Sequence, residues 1–136
     1  MDDDREFLAW FHGLWRDAEV ALHDGRPGAR DGTWSTREPV SLFGAWMNAA
    51  NADEAQAVFR RLEASFSGAV EEEVSLVAHG VSGELAYTVH REHTQTQVDG
   101  EPRDYVLRVT QVYRHEDGGW RVVHRHADNE GSVSGS

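Results

Sequence analysis

Residues 107–128 read LRVTQVYRHEDGGWRVVHRHAD. Two runs rich in β-branched and aromatic residues flank EDGG, and Asp-Gly between such runs signals a hairpin. The stretch predicts antiparallel strands near 103–116 and 119–127. Working outward, VDGEP (98–102) is a second turn and GVSG (80–83) a third, so strands near 70–79 and 84–97 come before them. Four consecutive strands joined by short turns form an antiparallel meander.

Before Ala69 the period is helical. Asp3 with Glu6 is a capping pattern, and Phe7, Phe11, Leu14, Ala18 and Ala21 form a stripe widened by Leu8, Trp15 and Leu22. Gly25 suits the left-handed position that ends this helix. RPGARDGTWS (26–35) predicts a loop or one helical turn that places Trp34, and PVSLFGAW (39–46) a short strand. A second helix follows in NADEAQAVFRRLEASFSG (51–68). Asn51 and Glu54 start it, Val58, Phe59, Leu62 and Phe66 are its stripe, and Gly68 is its stop. Helices followed by a long curved antiparallel sheet define an α+β cone, with a long N-terminal helix and further helices laid on one sheet face. The expected organisation is one domain over 1–129 and a disordered tail over 130–136.

Composition narrows the chemistry. The formal net charge of −11 argues against nucleic acid and anionic membranes as partners. The absence of Cys removes disulfides, thiolate nucleophiles and cysteine metal sites. All 13 basic residues are Arg, so Schiff-base lysine chemistry is excluded as well. No apolar run reaches membrane-spanning length, and the acidic start MDDDREF is unlike a signal peptide, so a cytoplasmic location is expected. The run EEE (71–73) is expected to be a solvated strand edge.

The order of elements, together with 107–128, resembles the nuclear transport factor 2-like superfamily, which includes ketosteroid isomerase, SnoaL-like polyketide cyclases and the association domain of calcium/calmodulin-dependent kinase II. The local likeness to that association domain rests on Thr110, Val112, Tyr113, Arg114, Asp117, Gly118, Trp120, Val123, His124 and His126. Ala86-Tyr87 and the Gly-x-Pro turn at 100–102 also fit. The superfamily uses one cone for enzymes, binding modules and assembly hubs, so the resemblance implies a fold and no single reaction.

Strict alternation, with Arg121 and Arg125 assigned to the wetter face, turns Trp120, Val122, His124 and His126 inward. Tyr105, Leu107, Val109, Gln111 and Tyr113 are expected inward on the preceding strand. The resemblance implies Tyr87, Val89, Arg91 and His93 inward on the strand at 84–97. The expected outer face then carries Ala86, Thr88, His90, Glu92, Thr94, Arg108, Thr110, Val112, Val123 and Arg125.

The candidate ligand pocket is therefore Trp15, Trp34, Phe43, Trp46, Tyr87, Val89, Gln111, Tyr113, His124 and His126. Trp120, just after a turn, is expected to be a packing anchor. His124-x-His126 supplies two imidazoles, but a metal would need a third ligand such as His93 or Glu92 from another strand, and no metal or other cofactor is expected. The isomerase branch uses a carboxylate base with Tyr and Asp donors, and this chain departs from it at each place. A proton-transfer site would instead use His126 as base with Tyr113 as donor, or a loop aspartate, Asp31 or Asp128, folded over the mouth. The leading expectation is binding of a small, partly apolar organic molecule, with a homodimer formed through the outer sheet face as the resemblance implies. The rivals are a cofactor-free cyclase or isomerase and an oligomerisation module.

Overall fold

Phe7, Phe11, Trp15, Glu19 and His23 follow one another at intervals of four residues. An α-helix turns every 3.6 residues, so a four-residue stripe drifts around the cylinder unless the helix widens. In the computed structural model, which describes residues 2–130, it widens in the middle. Helix α1 (Asp2–Trp10) passes through a π turn (Phe11–Trp15) into α2 (Arg16–His23). All five stripe residues are buried, whereas Leu14, expected in the stripe, is 66% exposed. The side chain of Asp3, expected as the cap, and the tail from Gly131 lie outside the described residues. Gly25 ends the helix at φ +77°, where a Cβ would also strike the Phe66 carbonyl oxygen.

Residues 24–40 are mostly turns, and Trp34 bridges to Val122. Two short strands follow, β1 (Ser41–Phe43) and β2 (Asn48–Ala49), the second not anticipated. Helix α3 (Ala52–Ser65) starts as expected: Asn51 Oδ1 accepts from the Glu54 amide at 2.8 Å, and Glu54 Oε1 accepts from the Ala50 amide at 2.8 Å. It stops at Ser65 rather than Gly68. Gly68, at φ +56°, falls in an irregularity at the start of the first long strand.

The meander is β3 (Phe66–Ser82), β4 (Leu85–Val98), β5 (Glu101–Glu116) and β6 (Gly119–Asn129). Sheet order is β2-β1-β6-β5-β4-β3, antiparallel throughout except that β1 lies parallel on β6. The curved sheet stays open, and the helices cover one face. There Phe7, Phe11, Trp15, Trp34, Phe59, Tyr113, Trp120 and Val122 form the apolar core. Trp120 is an anchor, edge-on to Phe7 at 5.2 Å.

Two register shifts decide which side chains meet inside. On β6, Tyr113 pairs with Val122 but Val112 pairs with His124, so Val123 is an extra residue. On β3, Leu76 pairs with His90 and Ala78 with Val89, so Val77 is another. A bulge shifts the alternation by one and sends every later side chain to the opposite face.

Candidate functional site

Beyond Val123, Arg125 and Ala127 turn inward, and His124 and His126 turn outward. The inward His-x-His pair expected from strict alternation is corrected by this one residue. Strand β4 is also the reverse of expectation. Thr88, His90, Glu92, Thr94 and Thr96 are buried, Thr88 opposite Gln111 and His90 opposite Val109. Thr88, Glu92 and Thr94 find partners on neighbouring strands, which alternation within one strand does not reveal.

Six of these side chains close a hydrogen-bonded ring across β4, β5 and β6. Gln111 Nε2 donates to Tyr113 Oη at 2.6 Å, Tyr113 and Thr88 hydroxyls meet at 2.7 Å, and Thr88 Oγ1 lies 3.2 Å from His90 Nδ1. His90 Nε2 lies 2.9 Å from Glu92 Oε2, and Arg125 donates to both Glu92 oxygens at 2.8 Å. Arg125 also donates to Gln111 Oε1 at 2.9 Å, closing the ring. One consistent set of donors satisfies it: the Tyr113 hydroxyl gives to Thr88, Thr88 to His90 Nδ1, and His90 Nε2–H to Glu92. Burial pushes the Glu92 carboxyl up, but Arg125 and His90 hold it well below the usual carboxylate range. Burial raises the Tyr113 phenol, which therefore stays protonated.

Beside the ring lies a second polar group that is not satisfied. Arg30 clamps Glu19 through two hydrogen bonds of 2.9 and 2.7 Å. His23 Nδ1 lies 2.8 Å from the Glu19 carbonyl and 3.1 Å from Glu72 Oε1, and Thr94 donates to the same Glu72 oxygen at 3.1 Å. Arg16 donates to the Glu72 carbonyl. Burial, then the charges of Glu92 and Glu19, push the Glu72 carboxyl up to about 9. Burial lowers His23 below the ordinary imidazole value. Their contact is thus a neutral hydrogen bond, with the proton on His23 Nδ1 facing two acceptors. Glu72 Oε2 and Tyr105 Oη are buried without a hydrogen-bond partner among the described residues. Thr94 stands near the phenol but outside hydrogen-bonding geometry, and gives its own proton to Glu72. Burial raises the Tyr105 phenol too.

His23, Arg30, Tyr105 and Arg125 border a cavity of about 40 Å³ whose other walls are apolar, among them Leu22, Leu42, Val58, Leu62 and Leu107. The turn between β1 and β2 forms its mouth, where half-exposed Trp46 stands edge-on to Tyr105 at 5.2 Å.

Of the expected pocket residues, Trp46 borders this cavity. Gln111 and Tyr113 face inward, as expected, but are spent in the ring. Trp15 and Trp34 are core. Tyr87, Val89, Phe43, His124 and His126 lie on the outer face, Phe43 edge-on to both histidines and Ser41 Oγ 2.8 Å from His124 Nδ1. His126 and Tyr113 are therefore on opposite faces of the sheet. Asp31 pairs with Arg60, and Asp128 with Arg108 on the outer face, so neither folds over the cavity. His93 is held by Asp104. Among the described residues no three or more His, Cys, Asp or Glu side chains gather in a metal-holding group. The expected solvated edge holds for Glu71 and Glu73 but not for Glu72, which shares its parity with Val74 and Leu76.

A curved, open sheet wrapped on a long N-terminal helix, with an inner cavity between sheet and helices, defines the α+β cone class. Residues 29–127 match the model of the SnoaL-like domain, and the chain belongs to that family, within the nuclear transport factor 2-like superfamily. No curated protein matches it. Similar solved structures include a nuclear transport factor 2-like protein from Salmonella enterica (TM-score 0.73, 14% identity, 96% of this chain and 95% of that one). A ketosteroid isomerase-like protein from Erwinia carotovora gives a TM-score of 0.71 at 14% identity over 92% and 97% of the two chains. A candidate calcium/calmodulin-dependent protein kinase type II association domain from Thiobacillus denitrificans gives 0.70 at 19% identity over 85% and 91%. Among the described residues no helix is long and apolar enough to cross a membrane.

Proposed function

We propose that the chain binds a small, uncharged, partly apolar organic molecule in the cavity between α2, α3 and β5. The observation that carries this reading is a largely apolar chamber bordered by Tyr105, whose buried Oη lacks a hydrogen-bond partner among the described residues. A buried polar group without a partner costs about 1–3 kcal/mol, which an acceptor on a ligand returns. Arg30 and Arg125 already hold carboxylates, so a neutral head group such as a ketone or aldehyde fits better than a charged one. The volume of about 40 Å³ favours a ligand of few heavy atoms, since a cavity of roughly 150 Å³ is needed for benzene.

Thermal unfolding in the presence of acetone, with four heavy atoms, tests the reading, with a steroid as comparator. Acetone is expected to raise Tm, Tyr105→Phe to weaken the effect, and His126→Ala to leave it unchanged. No rise, or one indifferent to Tyr105→Phe, sinks the reading. A second copy covering the outer face, where Val77, Leu85 and Tyr87 are exposed, belongs to the same proposal. Native mass measurement of wild type and Tyr87→Glu checks it, a dimer that dissociates being the expected result.

A further inference from the structure

We propose that the solvent side of the N-terminal helix, with the loop that follows it and the β5–β6 turn, is a docking groove for a basic amphipathic helix of a partner protein. The groove is separate from the inner cavity and from the outer sheet face, so it stands or falls independently of the ligand and dimer readings.

The π turn shapes this surface. Phe11 and Trp15 carry the buried stripe through it, and Leu14, which ordinary α-helical spacing places in that stripe, turns out to solvent and is 66% exposed. Single π turns inside α-helices are frequent at functional sites. Beside Leu14, Gly13 weakens the helix relative to alanine, yet a Cβ there would meet nothing within 4 Å. No neighbour within the chain requires glycine at this place, whereas close passage of a partner backbone would.

Leu14 joins half-buried Trp10 and Ala18 along one wall of an open groove of about 580 Å³. Ala29 and Gly32 of the following loop, with Gly118 and Gly119 of the β5–β6 turn, form the other walls. Such short residues let a helix backbone come near, and an exposed apolar strip rimmed by polar residues marks an interaction surface.

Charge decides which kind of helix fits. Asp17 and Asp117 stand exposed on the rim, and among the described residues neither is paired with a basic side chain. Arg121, the cation of this wall, has its guanidinium turned to the Trp120 carbonyl at 2.9 Å. Leucines on one face of the occupant cover Trp10, Leu14 and Ala18, and lysines or arginines flanking that face reach the two aspartates. The net charge of −11 adds long-range attraction for such a partner.

Fluorescence anisotropy of a dye-labelled peptide of leucine and lysine only, patterned as an amphipathic helix of about four turns, tests the proposal. The comparator has the same composition in an order that scatters its leucines around the helix. The patterned peptide is expected to bind, and the comparator to bind about tenfold more weakly or worse. Leu14→Ala, which keeps helix propensity, should weaken the patterned peptide about tenfold. Asp17→Asn combined with Asp117→Asn should weaken it and flatten its salt dependence. Val70→Ala, which trims another exposed apolar side chain on β3, should leave binding unchanged. No binding overturns the proposal. Equal binding of the two peptides, or binding indifferent to Leu14→Ala, reduces the attraction to net charge and overturns it too. Self-association of the free protein that Leu14→Ala abolishes assigns the groove to a second copy, which is the remaining overturning result.

Discussion

Glu72 keeps its proton up to about pH 9 in the folded chain, against an ordinary value of 4.5. Between those limits unfolding releases a proton. The contribution of Glu72 to stability is therefore fully present below about pH 4.5 and is lost as the pH rises towards 9. The groups around it are Glu19 and His23 from α2, Glu92 and Thr94 from β4, and Arg125 from β6. Glu72→Gln keeps the shape and removes the titration. It is expected to stabilise the protein at pH 8 by on the order of 2–4 kcal/mol relative to wild type and to be neutral near pH 4. Urea unfolding at the two pH values checks this, and an equal effect at both would refute the buried neutral acid. Glu72 was legible in principle, because it alternates with Val74 and Leu76, yet the surrounding glutamates disguised it.

At the scale of elements, the sequence announces both helices and all four long strands, since period and turn chemistry are local. It conceals the inside of β6, because Val123 is an unremarkable apolar residue and a bulge has no side-chain signature of its own. It conceals β4 because the outward set of Leu85, Tyr87 and Val89 is the more apolar one, while the inward set is buried only by virtue of Arg125, Gln111 and Glu72 from other strands. The assumption that arginine seeks water failed at Arg125, which is buried and paired. Deleting Val123 would keep Val122 and Arg125 inward, opposite Tyr113 and Gln111, so the pair is broken directly by Arg125→Met, which leaves Glu92 buried without its cation. A loss of about 3–5 kcal/mol is expected from that charge alone. Equilibrium urea unfolding measures it, and an Arg125→Met variant of wild-type stability would show that the buried pair does not hold the interior.

For the whole molecule, the family has a shared cone and the chain has its own filling. Most of the interior is packed with aromatic side chains and a ring of polar ones, so the space left for a ligand is small and lies towards the β1–β2 turn. That arrangement favours a compact ligand over a steroid-sized one.

The parallel seating of β1 on β6 also sets a sequence of assembly. Each hairpin of the meander closes through a short turn, whereas Ser41 reaches His124 only across 83 residues of chain. Contacts that distant bear the larger loop-closure entropy and form late. The meander and its side-chain ring should therefore be the early, persistent unit, and the three-residue β1 the last piece on and the first off. Native-state hydrogen exchange should find the amides of β1 opening at a lower free energy than those of β4 and β5. Because β1 leads directly into the turn at the cavity mouth, a brief loosening of this edge would open the chamber without disturbing the fold behind it.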